Sequence, residues 1–157
     1  MKACIIPGSF DPFTLGHLDI VRRASKLFDK VYVAILVNPA KHGKFDFAQR
    51  KRIAELSCAE LPNVEVLTAD GLLVDLCRAL SVKMIVKGVR NERDFSYEFE
   101  MAGMNRMLAP EIETVFMPCS TEFACVSSTF ARDLMKHEKD LRGTIHPDAI
   151  EYIYSLS

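Results

Sequence analysis

The sequence predicts an α/β fold built on a mostly parallel, five-stranded sheet with helices on both faces. Three observations carry that prediction. Short apolar runs alternate with segments of helical periodicity about five times in 157 residues. One run, Val31 to Val37, is apolar throughout and rich in β-branched residues, the pattern of a strand covered on both sides. Apolar residues make up 49% and charged residues 26%. These are ordinary values for a folded protein, and the length suits one domain, 1–157, with a real core.

The elements follow in order. Ala3 to Ile6 is the first strand. After it comes a turn, "GSFDPFTLGH" (Gly8 to His17), and then a helix with His17 on its first turn. Ile20, Val21, Ala24, Leu27 and Phe28 recur there at spacings of three and four, one apolar face. Val31 to Val37 is the second strand. Asp46 and Gln49 form a capping box that opens a helix presenting Ile53, Leu56 and Cys58 to the core. Asn63 to Leu67 is the third strand, and Leu72 to Leu80 is a short helix with Leu73, Leu76, Cys77 and Leu80 on one side. Lys83 to Val86 is the fourth strand, ending at "KGVR". Arg93 to Leu108 is a longer helix, its middle weakened at Gly103 by about 1 kcal/mol relative to alanine. Its methionines, Met101, Met104 and Met107, suit packing, with some available for a subunit contact. Thr114 to Met117 is the fifth strand. Ser127 or Ser128 caps a helix running to His137, and His146-Pro147 opens a final short one.

Composition excludes several function classes. Lysine plus arginine number 20 and aspartate plus glutamate 21, so no general basic field suggests a nucleic acid polymer. No apolar run approaches the roughly 18 residues of a membrane span, and the first apolar run is too short for a signal peptide. Five cysteines, odd in number and without CxxC spacing, suit neither a disulfide framework nor a zinc knuckle. The expected compartment is the reducing cytoplasm. Neither GxGxxG nor GxxxxGK[ST] occurs.

In open parallel sheets, ligands bind at the carboxyl ends of the strands, where the winding direction switches. Four segments should fall there: 7–17, 38–44, 87–94 and 118–129. In the first, Gly8 permits a positive φ or a close backbone approach, and Ser9 offers a hydroxyl. Pro12 fixes the turn, and Gly16 leaves room beside a helix N-terminus that favours an anion. His17 completes a phosphate cradle, unless it merely satisfies local hydrogen bonds. In the last segment, Ser127, Ser128 and Thr129 offer hydroxyls and helix-terminal N–H groups, either to phosphate or as a plain cap.

"GSFDPFTLGH", "NPAKHGKF", "KGVRNERDFSYEFEMAGMNRML" and "MPCSTEFACVSSTFARDL" occur in that order. The first, ending in TxGH, resembles the signature of the nucleotidylyltransferase superfamily. Together the four closely resemble the bacterial phosphopantetheine adenylyltransferase family, over nearly the whole chain. The resemblance implies a Rossmann-like nucleotidylyltransferase fold. It implies transfer of the adenylyl group of ATP to 4′-phosphopantetheine, giving dephospho-CoA and pyrophosphate in coenzyme A biosynthesis. The attack is direct and in line, with no covalent intermediate, and a phosphate nucleophile needs no general base.

The resemblance also implies the site. His17, Lys41 and Lys87 would be catalytic, with Lys41 preferred over its neighbours His42 and Lys44. Ser9, Phe10, His17, Gly88, Val89, Arg90, Glu98, Phe123, Ala124, Cys125, Val126, Ser127, Ser128 and Thr129 would meet the nucleotide. Ser9, Lys41, Leu73, Lys87 and Asn105 would meet the acceptor. Three positions depart from the family: Ser9 stands where threonine is usual, Lys87 where arginine is usual, and Thr129, which keeps the hydroxyl, where a serine is common. Lysine keeps the charge but loses the bidentate fork. Mg2+ is implied through the ATP phosphates with no protein ligand, CoA as a feedback ligand, and a homohexamer as the assembly. Two other readings stay open. One is a transferase for another phosphorylated acceptor, such as nicotinate mononucleotide, which would show an aromatic sandwich instead of an apolar groove. The other is a non-catalytic nucleotide- or CoA-binding module.

Overall fold

The computed structural model describes residues 1–38 and 40–157. Five strands, β1 (Ala3–Gly8), β2 (Lys30–Leu36), β3 (Val64–Ala69), β4 (Met84–Val89) and β5 (Glu113–Pro118), alternate with helices. The helices are α1 (Leu15–Ser25), α2 (Phe47–Ser57), α3 (Leu73–Ala79) and α4 (Glu92–Leu108), followed by α5 (Ser128–Lys136) and α6 (Pro147–Ser155). All strand pairs are parallel, in the order β3-β2-β1-β4-β5. The expected α/β class and five-stranded sheet are therefore present, with the winding reversing at β1.

Alternation of side chains across the sheet builds two apolar layers. On one face Cys4, Ile6, Val31, Val33, Ile35 and Val86 meet α1, α2, α5 and α6. On the other, Ile5, Ala34 and Ile85 meet Val74 and Cys77 of α3 together with Val82, Ala109 and Ile112. The Asp46–Gln49 capping box forms as expected: Gln49 N–H donates to Asp46 at 2.8 Å, and Asp46 N–H donates back to Gln49 at 3.0 Å.

Several boundaries differ from the sequence expectation, each for a tertiary reason. β1 runs on through Pro7 and Gly8, and β4 through Lys87, Gly88 and Val89. Parallel partners reach that far, with Gly8 opposite Ile35 and Val89 opposite Pro118. A ladder satisfies backbone groups whatever the side chain. Lys87 and Gly88 are thus strand residues, not part of a following loop. α1 stops at Ser25, which leaves Leu27 60% exposed. In α3 the buried pair is Val74 and Cys77, while Leu73, Leu76 and Leu80 only flank the core. α4 buries no residue at all. Met104 and Met107, expected to pack, are 50% and 85% exposed.

Candidate functional site

A cleft of about 730 Å³ runs along the carboxyl ends of the strands. One end is the turn after β3, at Gly71, Leu72 and Leu73; the other is the segment after β5, at Phe123 and Val126 to Thr129. The β1–α1 turn forms its middle, as the reversal of winding at β1 requires. α4 supplies a wall through Asp94, Tyr97, Glu98, Met101, Ala102 and Asn105.

His17 is the third residue of α1, and Thr14 is the cap before it. His17 N–H donates to Thr14 Oγ1 at 3.4 Å, and Thr14 N–H donates to His17 Nδ1 at 2.9 Å. This is a capping box with imidazole in the place of the usual Glu or Gln. Since Nδ1 accepts, the ring proton sits on Nε2 and is free to donate. Phe10 and Phe13 pack against the ring at 4.9 and 5.4 Å between centroids. Burial lowers the His17 pKa from 6.5 to about 4, helped by the charges of Arg90 and Lys87. The local hydrogen bond expected as the modest alternative is therefore present. It also orients the ring as a neutral donor.

The glycines serve the protein's own packing. Positive φ falls on Phe10, at 46°, not on Gly8. A Cβ on Gly8 would lie 2.9 Å from the Phe10 ring, so the aromatic fills the space expected for a ligand. A Cβ on Gly88 would lie 2.8 Å from Ile20, which makes it a strand–helix packing position. A Cβ on Gly16 would come within 3.3 Å of the Val126 carbonyl, so Gly16 admits the segment before α5.

Cations meet carboxylates around the ring. Lys87 Nζ pairs with Glu98 Oε2 at 3.1 Å, both side chains about one-fifth exposed. Strand and helix bring these two predicted site residues together, so Glu98 first of all balances Lys87. Arg90 pairs with Asp94 at 3.0 Å. Lys41 lines the cleft from an exposed loop, whereas His42 and Lys44 are not among its lining residues. Two bonds to Asn38 hold the loop's start: Ala40 N–H to its side-chain oxygen at 3.1 Å, and Lys41 N–H to its carbonyl at 3.0 Å. Ser127 is the cap of α5, accepting from Phe130 N–H at 3.0 Å. Ser128 donates to the Pro12 carbonyl at 2.8 Å, and Thr129 accepts from Arg132 at 3.2 Å.

Ser9, Phe10, Leu73, Asn105 and Phe123 also line the cleft. Val89, Ala124 and Cys125 lie outside its walls: Val89 ends β4, and the other two are exposed in the turn before α5. Sequence reasoning missed Thr14 as the cap, and Tyr97, Met101 and Ala102 on α4. The α4 signal was available, since 94, 98, 101 and 105 recur at spacings of three and four.

Comparisons with known proteins come to the same place. A cytidylyltransferase-like family model matches residues 5–134. A phosphopantetheine adenylyltransferase of Clostridium tetani is 44% identical over 157 residues, covering 100% of this chain and 98% of that one. One of Rubrobacter xylanophilus is 46% identical over 161 residues, with the same coverage. A crystal structure from Vibrio parahaemolyticus, provisionally assigned as a nicotinate-nucleotide adenylyltransferase, superposes with a TM-score of 0.72. It is 20% identical, covers 99% of this chain and 93% of its own, and therefore speaks to the fold alone.

Proposed function

This chain belongs to the cytidylyltransferase-like family and, within it, to the phosphopantetheine adenylyltransferases, and from that premise we infer that it joins ATP to 4′-phosphopantetheine. The products are dephospho-CoA and pyrophosphate. An acceptor phosphate oxygen attacks the α-phosphorus of ATP in line as the bond to the β-phosphate oxygen breaks. The nucleophile is already an anion, so the protein has only to align the reactants and stabilise charge. The observation that carries this reading is the convergence in one cleft of a neutral imidazole donor, His17, with Lys41, Lys87 and Arg90. In this reading His17 donates from Nε2 to an α-phosphate oxygen, where charge develops. Lys41 and Lys87 hold the reacting phosphates, and Arg90 and the hydroxyl-rich start of α5 take the β- and γ-phosphates.

The acceptor end of the cleft supports pantetheine. Leu36, Leu72, Leu73, Met101 and Ala102 make an aliphatic groove, with Asn105 to hydrogen-bond an amide. A pyridine acceptor would need stacking faces on two sides, and among the described residues α4 offers only Tyr97 there. With ATP and magnesium, purified protein should release pyrophosphate with phosphopantetheine and not with nicotinate mononucleotide. ATP binding without pyrophosphate from phosphopantetheine would overturn the reading.

Magnesium fits as a companion of the triphosphate. The two carboxylates lining the cleft, Asp94 and Glu98, are paired with Arg90 and Lys87. Among the described residues no cluster of three ligating side chains occurs. Phosphate oxygens and water would fill the coordination shell, and the bound ion would supply positive charge beside the leaving pyrophosphate. CoA, which carries the same pantetheine arm, is proposed as a feedback ligand of this groove.

No helix among the described residues is long and apolar enough to cross a membrane. All five cysteines are free, which supports a reducing compartment, the cytoplasm. A homohexamer is supported by apolar surface that the chain does not cover: Phe95, Phe99, Met104, Met107 and Leu108 of α4, and Val115 of β5. Light scattering should give the mass of six chains, falling to that of smaller species in a Phe99→Glu, Met107→Glu variant. A monomeric wild type, or an unchanged mass in the variant, would contradict that surface assignment.

A further inference from the structure

Asp11 and Arg50 stand outside the cleft walls, yet both are charged and buried, 8% and 6% exposed. They are 39 residues apart in sequence, in the β1–α1 turn and on the first turn of α2. Asp11 Oδ2 accepts from Lys44 N–H and Oδ1 from Phe45 N–H, each at 2.9 Å. Arg50 Nε lies 3.4 Å from Asp11 Oδ1 and donates to the Phe45 carbonyl at 2.9 Å. Arg50 Nη1 donates to the Ser9 carbonyl at 3.2 Å, and its guanidinium lies 4.7 Å from the Phe47 ring centre. The pair thus joins the Ser9 turn to the end of the loop that carries Lys41.

Gly43 is an independent sign of how closely this junction is built. A Cβ there would collide with Arg50 Nη2 and Asp11 Oδ2, and would lie 2.9 Å from Arg50 Cζ. The chain two residues after Lys41 therefore passes directly over the ion pair. Lys41 is held between this junction and the Asn38 turn before it. Its own side chain is exposed, so its reach is set by where the backbone is pinned.

We propose that Asp11 and Arg50 are positioning residues that set Lys41 against the phosphate site of the Ser9–His17 turn, with Gly43 admitting the loop over them. The proposal rests on the adenylyl-transfer reading, in which Lys41 engages the reacting phosphates. Both carboxylate oxygens are needed, because each accepts one backbone N–H. Asparagine keeps one acceptor and turns a second donor against an N–H that has lost its partner.

The test is a double-mutant cycle in kcat. Asp11→Asn should lower kcat about 30-fold, the scale of a small misplacement of a catalytic group, with KM for ATP within a few-fold. In a Lys41→Ala background the same change should cost less than about 3-fold, because a group that acts only through Lys41 has nothing left to position. Gly43→Ala, which removes no polar group, should behave the same way and serves if Asp11→Asn does not fold. Equal losses with and without Lys41, or full activity in Asp11→Asn, Gly43→Ala or Lys41→Ala, would overturn the proposal while leaving the transferase reading intact. A wild type that makes no pyrophosphate would instead sink that reading.

Discussion

His17→Ala should lower kcat by roughly 10²- to 10³-fold, the usual cost of removing one preorganised donor from a developing oxyanion. ATP affinity should change only a few-fold, because in the proposed role the contact is strongest in the transition state. The geometry gives the reason. Thr14 N–H occupies Nδ1 at 2.9 Å, so the Nε2 proton is the group left to donate. Truncation also removes a capping acceptor, at a stability cost of about 1 kcal/mol, so urea unfolding of the variant separates folding from chemistry. A large loss of ATP binding with unchanged turnover at saturation would contradict the role.

The same residue makes a pH prediction with a definite sign. Its pKa is lowered from 6.5 to about 4, by burial first and by Arg90 and Lys87 second. The native state therefore resists a proton that the unfolded chain takes up near pH 6.5. Between these two values the unfolded state binds more protons, so stability rises with pH there. The contribution is complete above pH 6.5 and is lost as pH falls toward 4. His17→Ala should flatten that part of the stability curve, and wild-type turnover should show no imidazole titration between pH 6 and 8. A rate step near pH 6.5 that His17→Ala removes would show a charged or proton-accepting His17 instead.

Lys87→Ala should lower kcat/KM by about 100-fold, within the range found for truncating one partner of a close, hydrogen-bonded charge pair. Two effects act in one direction. In the proposed role the reacting phosphates would lose a cation, and Glu98, about one-fifth exposed, would lose its partner at 3.1 Å and face the incoming phosphates unbalanced. Pairing Lys87→Ala with Glu98→Gln should therefore recover part of the loss. Lys87→Arg should stay within a few-fold of wild type, since the charge is kept and a fork is added. If the double variant is no better than Lys87→Ala, repulsion from Glu98 plays no part. If Lys87→Ala is itself near wild type, the lysine does not touch the reacting phosphates.

These effects depend on pairings whose visibility in the sequence varies. The Asp46–Gln49 capping box was legible because both partners lie within one helical turn. The strand–turn–helix reading of Gly8 to His17 was legible for a similar local reason, and it placed His17 on the first turn of α1. The meaning of Gly8 and Gly88 was not. A glycine announces missing volume but not what fills it, and here Phe10 and Ile20 do so. Choosing Lys41 over His42 and Lys44 rested on resemblance, since three neighbouring cationic or titratable side chains on one loop share the same local chemistry.

By itself the sequence determined the α/β class, the five strands in order, the caps at Asp46, Ser127 and His146, and the four segments that face the cleft. All of these follow from periodicity and from contacts within a few residues. Tertiary structure alone decided how far β1 and β4 extend, because a parallel ladder is supplied by a distant strand. It alone paired Lys87 with Glu98 and Asp11 with Arg50, and it alone left α4 without a buried residue. Charge and burial at those positions are properties of neighbours brought together by the crossovers, and a linear pattern records the side chains without recording which neighbours they meet.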